Sequence, residues 1–289
     1  MLSLSDQIKA SLKCSDIPLW LPELTDKLVK AGWEQLHRET GLTPDTYGTA
    51  RVVSGNASAR VVTVRDLPLI HSPSRLKTCM RIELPTVEIM RLYEGVGVHF
   101  YTAEELTNST AIECLEEAIH VIGHVPSLWQ TVNSLVRSLH VLRPTDDEHD
   151  ISSSEPCLPF SIFISALQKR ISNDALRVAE TIVHEAMHLQ LTLVEKIVRL
   201  VVCTQGRYFS PWREEYRSAR GILHAVYVFK AIDCFLADLL LNHRLHREEL
   251  SYARTRRTQI TAQMREVESF RDCTDLTTHG FNLVSRLLG

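Results

Sequence analysis

The strongest constraint on this chain is a pair of histidines four residues apart in an apolar segment. His184 and His188 enclose Glu185 in an H-E-x-x-H pattern. Apolar residues recur around them at helical spacing, which predicts a helix with both imidazoles on one face, one turn apart. Two imidazoles at that spacing can hold one metal ion, and buried histidines need such a partner. The pattern therefore predicts a metal site rather than two unrelated histidines.

The composition is ordinary for a globular chain, with 44% apolar and 23% charged residues. A net charge of -3 gives no general attraction to nucleic acid or to an anionic membrane. The segment from Met1 to Ser15 lacks the apolar core of a signal peptide. The apolar stretch 221–241 contains three charged residues, which favours a buried helix over a membrane span. We therefore expect a cytoplasmic protein with no nucleic-acid or membrane partner.

Cysteine usage agrees with a reducing compartment. The seven cysteines are scattered and form no C-x-x-C pair. An odd, dispersed set argues against a disulfide framework and against a cysteine zinc site. Histidine and carboxylate side chains are therefore the expected metal ligands.

Hydrophobic periodicity predicts an α+β fold, with a mixed N-terminal half and a mostly helical C-terminal half that carries the metal site. Helical spacing covers residues 1–40 and 110–137 in the first half. From Asp174 onward the pattern predicts three helices, ending near Val202, His243 and Phe270. Short β-rich runs occur at 60–64, 80–84, 96–101, 136–142 and 160–165.

An acidic, serine-rich loop from Thr145 to Pro156 is the best candidate for a boundary within the chain. We therefore expect a mixed α/β region over 1–150 and a helical H-E-x-x-H region over 151–289. The two are expected to form one continuous structural unit.

Two histidines need a third protein ligand to make a catalytic metal site. The metzincin extension would place glycine at 191 and histidine at 194, but the chain has Leu191 and Val194 there, which excludes that class. Glu195 follows His188 by seven residues on the same predicted helix and is expected to lie too far along it. Glu214 and Glu215 are alternatives.

His224 is the better candidate for the third ligand. It is a lone histidine in an apolar stretch, where the ordinary interpretation is a core histidine with a hydrogen-bond partner. The helix that bears it can return antiparallel to the motif helix after the turn at 205–212, which brings His224 back towards His184 and His188.

The chain resembles the HExxH-motif iron(II)- and α-ketoglutarate-dependent peptide β-hydroxylases of bacterial peptide natural-product clusters. The resemblance covers about residues 150 to 245 and is weak over the first 140. The segments that carry it are Pro159-Phe160-Ser161-Ile162-Phe163-Ile164-Ser165, His184-Glu185-Ala186-Met187-His188-Leu189-Gln190-Leu191, Tyr208-Phe209-Ser210-Pro211-Trp212-Arg213 and Arg220-Gly221-Ile222-Leu223-His224-Ala225.

The resemblance implies a metal site of His184, His188 and His224, an arginine that holds the far carboxylate of α-ketoglutarate, and a ribosomally made precursor peptide as substrate. Dioxygen would be the co-substrate, and Glu185 would orient a ligand. An arginine suits this task because its planar fork matches a carboxylate. Three arginines precede His224 closely, and we expect one of them to bind the cofactor: Arg213, Arg217 and Arg220.

Two other functions stay open at the level of sequence. In a zinc metallopeptidase, Glu185 would act as the general base. A non-catalytic binding protein could retain the motif helix without either chemistry. The missing metzincin pattern and the group of arginines favour the oxygenase.

Overall fold

A computed structural model describes most of the chain, in the following ranges: 2–40, 50–54, 59–63, 65–66, 80–93, 95, 97–143, 151–155, 158–166, 173–202, 205–242 and 245–289. The fold is α+β, with short strands in the N-terminal half and helices dominating the C-terminal half, as the sequence predicts.

The described helices and strands follow one another in this order: α1 (Leu4–Lys13), α2 (Pro22–Thr40), β1 (Ala50–Ser54), β2 (Ala59–Thr63), β3 (Arg65–Asp66), β4 (Arg81–Leu84), α3 (Val87–Leu92), β5 (His99–Phe100), α4 (Ala103–Thr107), α5 (Ala111–Gly123), α6 (Pro126–Leu135), β6 (Ser138–Arg143), β7 (Ser152–Ser153), β8 (Ser161–Ser165), α7 (Asp174–Glu195), β9 (Tyr208–Ser210), β10 (Glu215–Arg217), α8 (Ala219–Asn242), α9 (Arg247–Glu266), a 3-10 helix (Glu268–Asp272) and α10 (Thr278–Leu288).

The chain divides into two compact units, which we call the sheet unit and the helical unit. The sheet unit is Val29–Leu189, and the helical unit combines Met1–Leu28 with Gln190–Gly289. The boundary predicted at residue 150 lies inside the sheet unit. Residues 145–150 and 156 of the predicted boundary loop lie outside the described ranges. The division into regions 1–150 and 151–289 stays a prediction.

A mixed sheet organises the sheet unit, with strand order β3-β4-β6-β8-β7 and with β5 also pairing with β6. Strands β4, β6 and β8 are parallel, whereas β7 runs antiparallel to β8 at the edge. All five residues of β8 are buried, which is typical of a strand covered on both faces. A cluster on this sheet contains Ile89, Tyr93, Leu142, Leu158 and Phe163.

Several boundaries differ from the predicted ones. The strand predicted at 96–101 is reduced to the two residues of β5, and β1 lies outside every predicted strand. Helix α7 ends at Glu195 rather than near Val202, because Val201 pairs in extended form with Leu276. Helix α8 begins at Ala219 because the Ser218 hydroxyl accepts a hydrogen bond from the Gly221 amide, as a helix N-cap does.

A buried hydrogen-bond network anchors the end of α7 in the helical unit. The Gln190 amide nitrogen donates to the Trp20 carbonyl at 2.6 Å and to the Thr25 hydroxyl at 2.8 Å. The Tyr227 hydroxyl, on α8, lies 2.5 Å from the Gln190 amide oxygen and 2.7 Å from the Leu19 carbonyl. Each polar atom of the Gln190 amide therefore has a partner, as burial requires.

No helix in the described ranges is both long enough and apolar enough to cross a membrane.

We expect Tyr227→Phe to lower the free energy of unfolding by about 1–3 kcal/mol, because it leaves buried acceptors without their donor. Chemical denaturation followed by circular dichroism measures the change. The matched control is Tyr216→Phe, whose side chain is 66% exposed and whose loss should change stability by no more than about 0.5 kcal/mol. Equal effects of the two substitutions would contradict the role given to Tyr227.

Candidate metal centre

The two motif histidines are brought together as the sequence predicts. Helix α7 is continuous through His184 and His188, and their Nε2 atoms lie 3.2 Å apart. Metal–nitrogen bonds of about 2.0–2.1 Å to both atoms would enclose an angle of about 100°, between the octahedral and tetrahedral values. The pair is therefore spaced to chelate one ion, and without an ion one imidazole can donate a hydrogen bond to the other.

Glu185 lies beside this pair in a buried position. Its side chain is 3% exposed, and its Oε1 atom is 3.9 Å from His184 Nε2. The Ser152 hydroxyl donates to the same Oε1 atom at 2.6 Å. A hydroxyl–carboxylate bond of this length is a strong one, so it holds the carboxylate in one orientation next to the chelating nitrogens.

The edge strand β7 supplies this contact through Ser152, a residue that no sequence motif singles out. Adjacent residues of a strand point to opposite faces, and the neighbouring Ser153 hydroxyl is 2.6 Å from the Tyr93 hydroxyl. Burial raises the pKa of Tyr93, and the negative charges of Glu155 and Glu185 raise it further. Tyr93 is therefore a neutral hydrogen-bonding group near these carboxylates.

His224 lies in the helical unit, where its partner is Glu195. Its Nε2 atom is 2.9 Å from Glu195 Oε2. The same oxygen accepts a hydrogen bond from Arg220 Nε at 2.8 Å and lies 2.8 Å from Arg220 Nη2 in an ion pair. His184 and His188 belong to the sheet unit. The role of His224 as third ligand stays a prediction.

The contacts among His224, Glu195 and Arg220 determine which of these groups is charged. Burial lowers the pKa of His224, the charges of Arg220 and Arg217 add to that effect, and Glu195 opposes it. Burial acts to raise the pKa of Glu195, but His224 and Arg220 outweigh it and the pKa lies below its ordinary value. A neutral imidazole therefore donates from Nε2 to an ionised carboxylate, and its Nδ1 atom carries no proton.

The three candidate arginines differ in what they already bind. Arg220 is engaged with Glu195, and the Arg217 Nε atom lies 3.5 Å from an oxygen of Glu215. Arg213 is exposed and, within the part of the chain that the structure describes, forms no ion pair. Among the three, Arg213 has the guanidinium most available to an added carboxylate.

A β-hairpin positions Arg213. Strands β9 and β10 are antiparallel, and Arg213 lies in the turn between them, where its amide donates to the Ser210 carbonyl at 3.2 Å. Trp212 stacks on Phe229 of α8, with ring centroids 5.0 Å apart and planes at 7°. This stack fastens the turn to a buried helix. The sequence predicted a turn here but missed the hairpin, because each strand has only three residues.

The alternative carboxylate ligands also lie in this hairpin. Glu214 occupies the turn with a φ of 52°, and Glu215 begins β10, where its exposed carboxylate faces Arg217. Among the described residues, no group of three His, Cys, Asp or Glu side chains is arranged to hold a metal. The described residues that are spaced to share an ion are His184 and His188, whose Nε2 atoms lie 3.2 Å apart.

No protein-family model matches this sequence, and no curated protein matches it either.

We expect acid to destabilise the metal-free protein partly through His224 and Glu195. Because the pKa of His224 is lowered from an ordinary value of 6.5, the unfolded chain takes up this proton first. The stability contributed by neutral His224 is complete above that pH and is lost as the pH falls below it. The lowered pKa of Glu195 likewise gives stability that is lost as the pH falls through its folded value.

Urea unfolding midpoints from pH 7.5 to 4, with a chelator present, measure both effects. The His224→Gln midpoint should fall less than the wild-type midpoint between pH 7 and 5.5, and Glu195→Gln should reduce the further fall at lower pH. Parallel pH profiles for wild type and both variants would contradict this assignment.

Proposed function

We propose that this protein is an iron(II)- and α-ketoglutarate-dependent oxygenase that hydroxylates a side-chain β-carbon of a ribosomally made precursor peptide. The observation that carries the proposal is the pair of imidazole nitrogens 3.2 Å apart beside a buried, oriented carboxylate. When bound, iron(II) and α-ketoglutarate would supply the oxidising power of dioxygen for C–H hydroxylation, with succinate and carbon dioxide as by-products.

The chelating pair fits a centre that needs open metal positions. His184 and His188 would provide two neutral ligands, with His224 as the proposed third. Three protein ligands leave room for a bidentate cofactor and for dioxygen on a six-coordinate ion. Neutral imidazoles leave the ion more positive than a carboxylate ligand would, and the α-ketoglutarate dianion offsets this charge.

Glu185 is proposed as an orienting group in this reaction. Its Oε1 atom accepts the short Ser152 hydrogen bond, so that part of its capacity as a proton acceptor is already used. An ionised carboxylate fixed near the ligands can hold a ring or a bound molecule in one orientation. Hydrogen abstraction from a β-carbon requires no carboxylate base.

Arg213 is the residue we propose to bind the far carboxylate of α-ketoglutarate. Its guanidinium is free of ion pairs in the described structure, and the stack of Trp212 on Phe229 holds the turn that bears it. Arg217 and Arg220 already face Glu215 and Glu195, and a cofactor carboxylate would have to displace those groups.

A cytoplasmic location would suit this chemistry. Cys14, Cys114, Cys234 and Cys273 are free thiols, as expected in a reducing compartment, where iron is also kept as iron(II).

A zinc metallopeptidase is the second candidate, and one distance favours it. Glu185 Oε1 lies 3.9 Å from His184 Nε2, close enough for the carboxylate to take a proton from a water that attacks a peptide bond. In that case the short bond from Ser152 would position the base.

The substitution Glu185→Gln separates the two functions. In the oxygenase we expect activity to fall by only about 10- to 100-fold, because an orienting contact is weakened, and succinate should still form. In the peptidase, loss of the general base should lower turnover by a factor on the order of 10²–10⁴. The assay incubates protein with iron(II), ascorbate, α-ketoglutarate and a synthetic peptide encoded by a neighbouring short gene, and mass spectrometry reads the product.

A gain of one oxygen atom that requires α-ketoglutarate supports the oxygenase. Cleavage of the peptide into two fragments would instead support the peptidase, if it occurs with zinc and without α-ketoglutarate and is missing for Glu185→Gln. His184→Ala should lose either activity and serves as the control for metal dependence.

We expect Arg213→Lys to raise the α-ketoglutarate concentration needed for half-maximal succinate formation by at least about tenfold, because a lysine cannot form the two-point contact. The matched control is Arg217→Lys, an arginine of the same hairpin whose partner is Glu215. If this concentration rises strongly for Arg217→Lys and stays unchanged for Arg213→Lys, the cofactor carboxylate is bound by Arg217 instead.

A further inference from the structure

The edge strand β7 directs the backbone groups of one residue away from the sheet. It pairs antiparallel with β8, with Ser152 opposite Ile164. The Ser165 amide donates to the Ile151 carbonyl at 2.8 Å, so the Ile151 carbonyl points towards β8. In an antiparallel pair, successive residues direct their backbone groups alternately towards the partner strand and away from it. Ile151 and Ser153 therefore face β8, and the N–H and C=O groups of Ser152 face the outer side of β7.

The outer side of β7 is suited to accept another strand. Among the described residues, no strand pairs with that side, and no backbone group bonds to the outward N–H and C=O groups of Ser152. Ser152 and Ser153 are half-buried rather than enclosed. Outward backbone groups on an edge strand form a template for an extended chain, and several classes of peptide-binding protein use this mode of recognition.

The two faces of β7 lead to different surroundings. The Ser152 hydroxyl donates to Glu185 Oε1 at 2.6 Å, and that oxygen is 3.9 Å from His184 Nε2. Ser153 points to the other face, where its hydroxyl lies 2.6 Å from the Tyr93 hydroxyl. Directly opposite residues of an antiparallel pair place their side chains on the same face. In an added strand, the residue opposite Ser152 therefore projects its side chain to the face that holds Glu185 and His184.

We propose that the substrate peptide binds as an extended strand antiparallel to β7, and that the residue opposite Ser152 is the one presented for hydroxylation. The peptide and its hydroxylation come from the proposed function, on which this binding mode rests. The Ser152 N–H donates to the carbonyl of the presented residue, and the Ser152 carbonyl accepts the N–H of that same residue. Only antiparallel addition lets one residue satisfy both groups, because parallel pairing divides the two bonds between two residues.

This arrangement accounts for attack on a side chain rather than on the peptide backbone. The Cβ atoms of directly opposite residues lie about 4.5–5.5 Å apart. The β-carbon of the presented residue therefore lies beside Ser152, whose hydroxyl is separated from His184 Nε2 by a single carboxylate oxygen of Glu185. The residues before and after it point to the Tyr93 face.

Backbone N-methylation of the peptide tests this pairing. The probe is the synthetic peptide encoded by the neighbouring short gene, with fluorescein at one end. Fluorescence anisotropy measures its binding to the full-length protein with a chelator present, and the methyl group is moved one residue at a time. Methylation of the residue that gains oxygen in the activity assay should weaken binding by at least about tenfold, because the donor to Ser152 is lost. Methylation of either adjacent residue is the matched control and should change binding by less than about threefold, since those N–H groups point away from β7.

Two substitutions at Ser152 test the protein side of the same bonds. Ser152→Pro removes the outward N–H, and proline is tolerated on an edge strand where the N–H faces outward. We expect it to weaken peptide binding by about tenfold, whereas Ser152→Ala keeps the N–H and should weaken binding by less than about threefold. Circular dichroism checks that both variants are folded. The methylated peptides leave the protein unchanged, so they decide the question if Ser152→Pro does not fold.

The outcomes separate the binding mode from the proposed function. Oxygen gain that tolerates methylation of the modified residue overturns the binding mode and leaves the proposed function in place. One sensitive position between two tolerant ones, without oxygen gain under any condition, supports the binding mode and contradicts the hydroxylase. Equal weakening at adjacent positions, or no binding of the unmodified peptide, overturns the binding mode. If the protein instead forms a dimer that Ser152→Pro dissociates, β7 joins two copies of this chain and the peptide binding mode is wrong.

Discussion

The need to satisfy polar groups on a buried helix governs this structure. Helix α7 is largely apolar, yet it carries His184, Glu185, Gln190 and Glu195 in buried or half-buried positions. A buried polar group without a partner costs about 1–3 kcal/mol, and a buried charge costs more. Each of these four side chains has its own partner, and those partners define the candidate metal centre, the packing of the helical unit and the Glu195 cluster.

The same principle explains the differences among the candidate arginines. The carboxylate of Glu195 accepts a hydrogen bond from Arg220, forms an ion pair with it and faces His224, so Arg220 serves to keep a mostly buried charge ionised. Arg213 has no such task in the described structure and lies in a turn that the Trp212–Phe229 stack holds in place. Arg213, Arg217 and Arg220 are close in sequence and were therefore equal candidates for binding the cofactor. Their ion-pair partners in the structure distinguish them, because Arg217 and Arg220 already face carboxylates.

Chelating geometry, by contrast, is local. Two histidines one helical turn apart have nearly the same ring geometry on α5 and on α7, although the helices differ in burial and in neighbours. What distinguishes the α7 pair is the carboxylate beside it, which the edge strand β7 holds through Ser152. The spacing brings two imidazoles together wherever it occurs on a helix, but an oriented polar group next to them is the feature that catalysis requires.

The sequence by itself determined the α+β class, the start of the motif helix at Asp174 and the convergence of His184 and His188, because these follow from helical periodicity over a few residues. Only the tertiary structure decided that Ser152 donates to Glu185, that His224 bonds to Glu195 and that a hairpin precedes α8. Those contacts join residues 5 to 33 positions apart, and no periodic pattern encodes them. Local spacing follows from the geometry of one helix, whereas a partner across the fold is chosen by packing and by the cost of leaving a buried polar group unpaired.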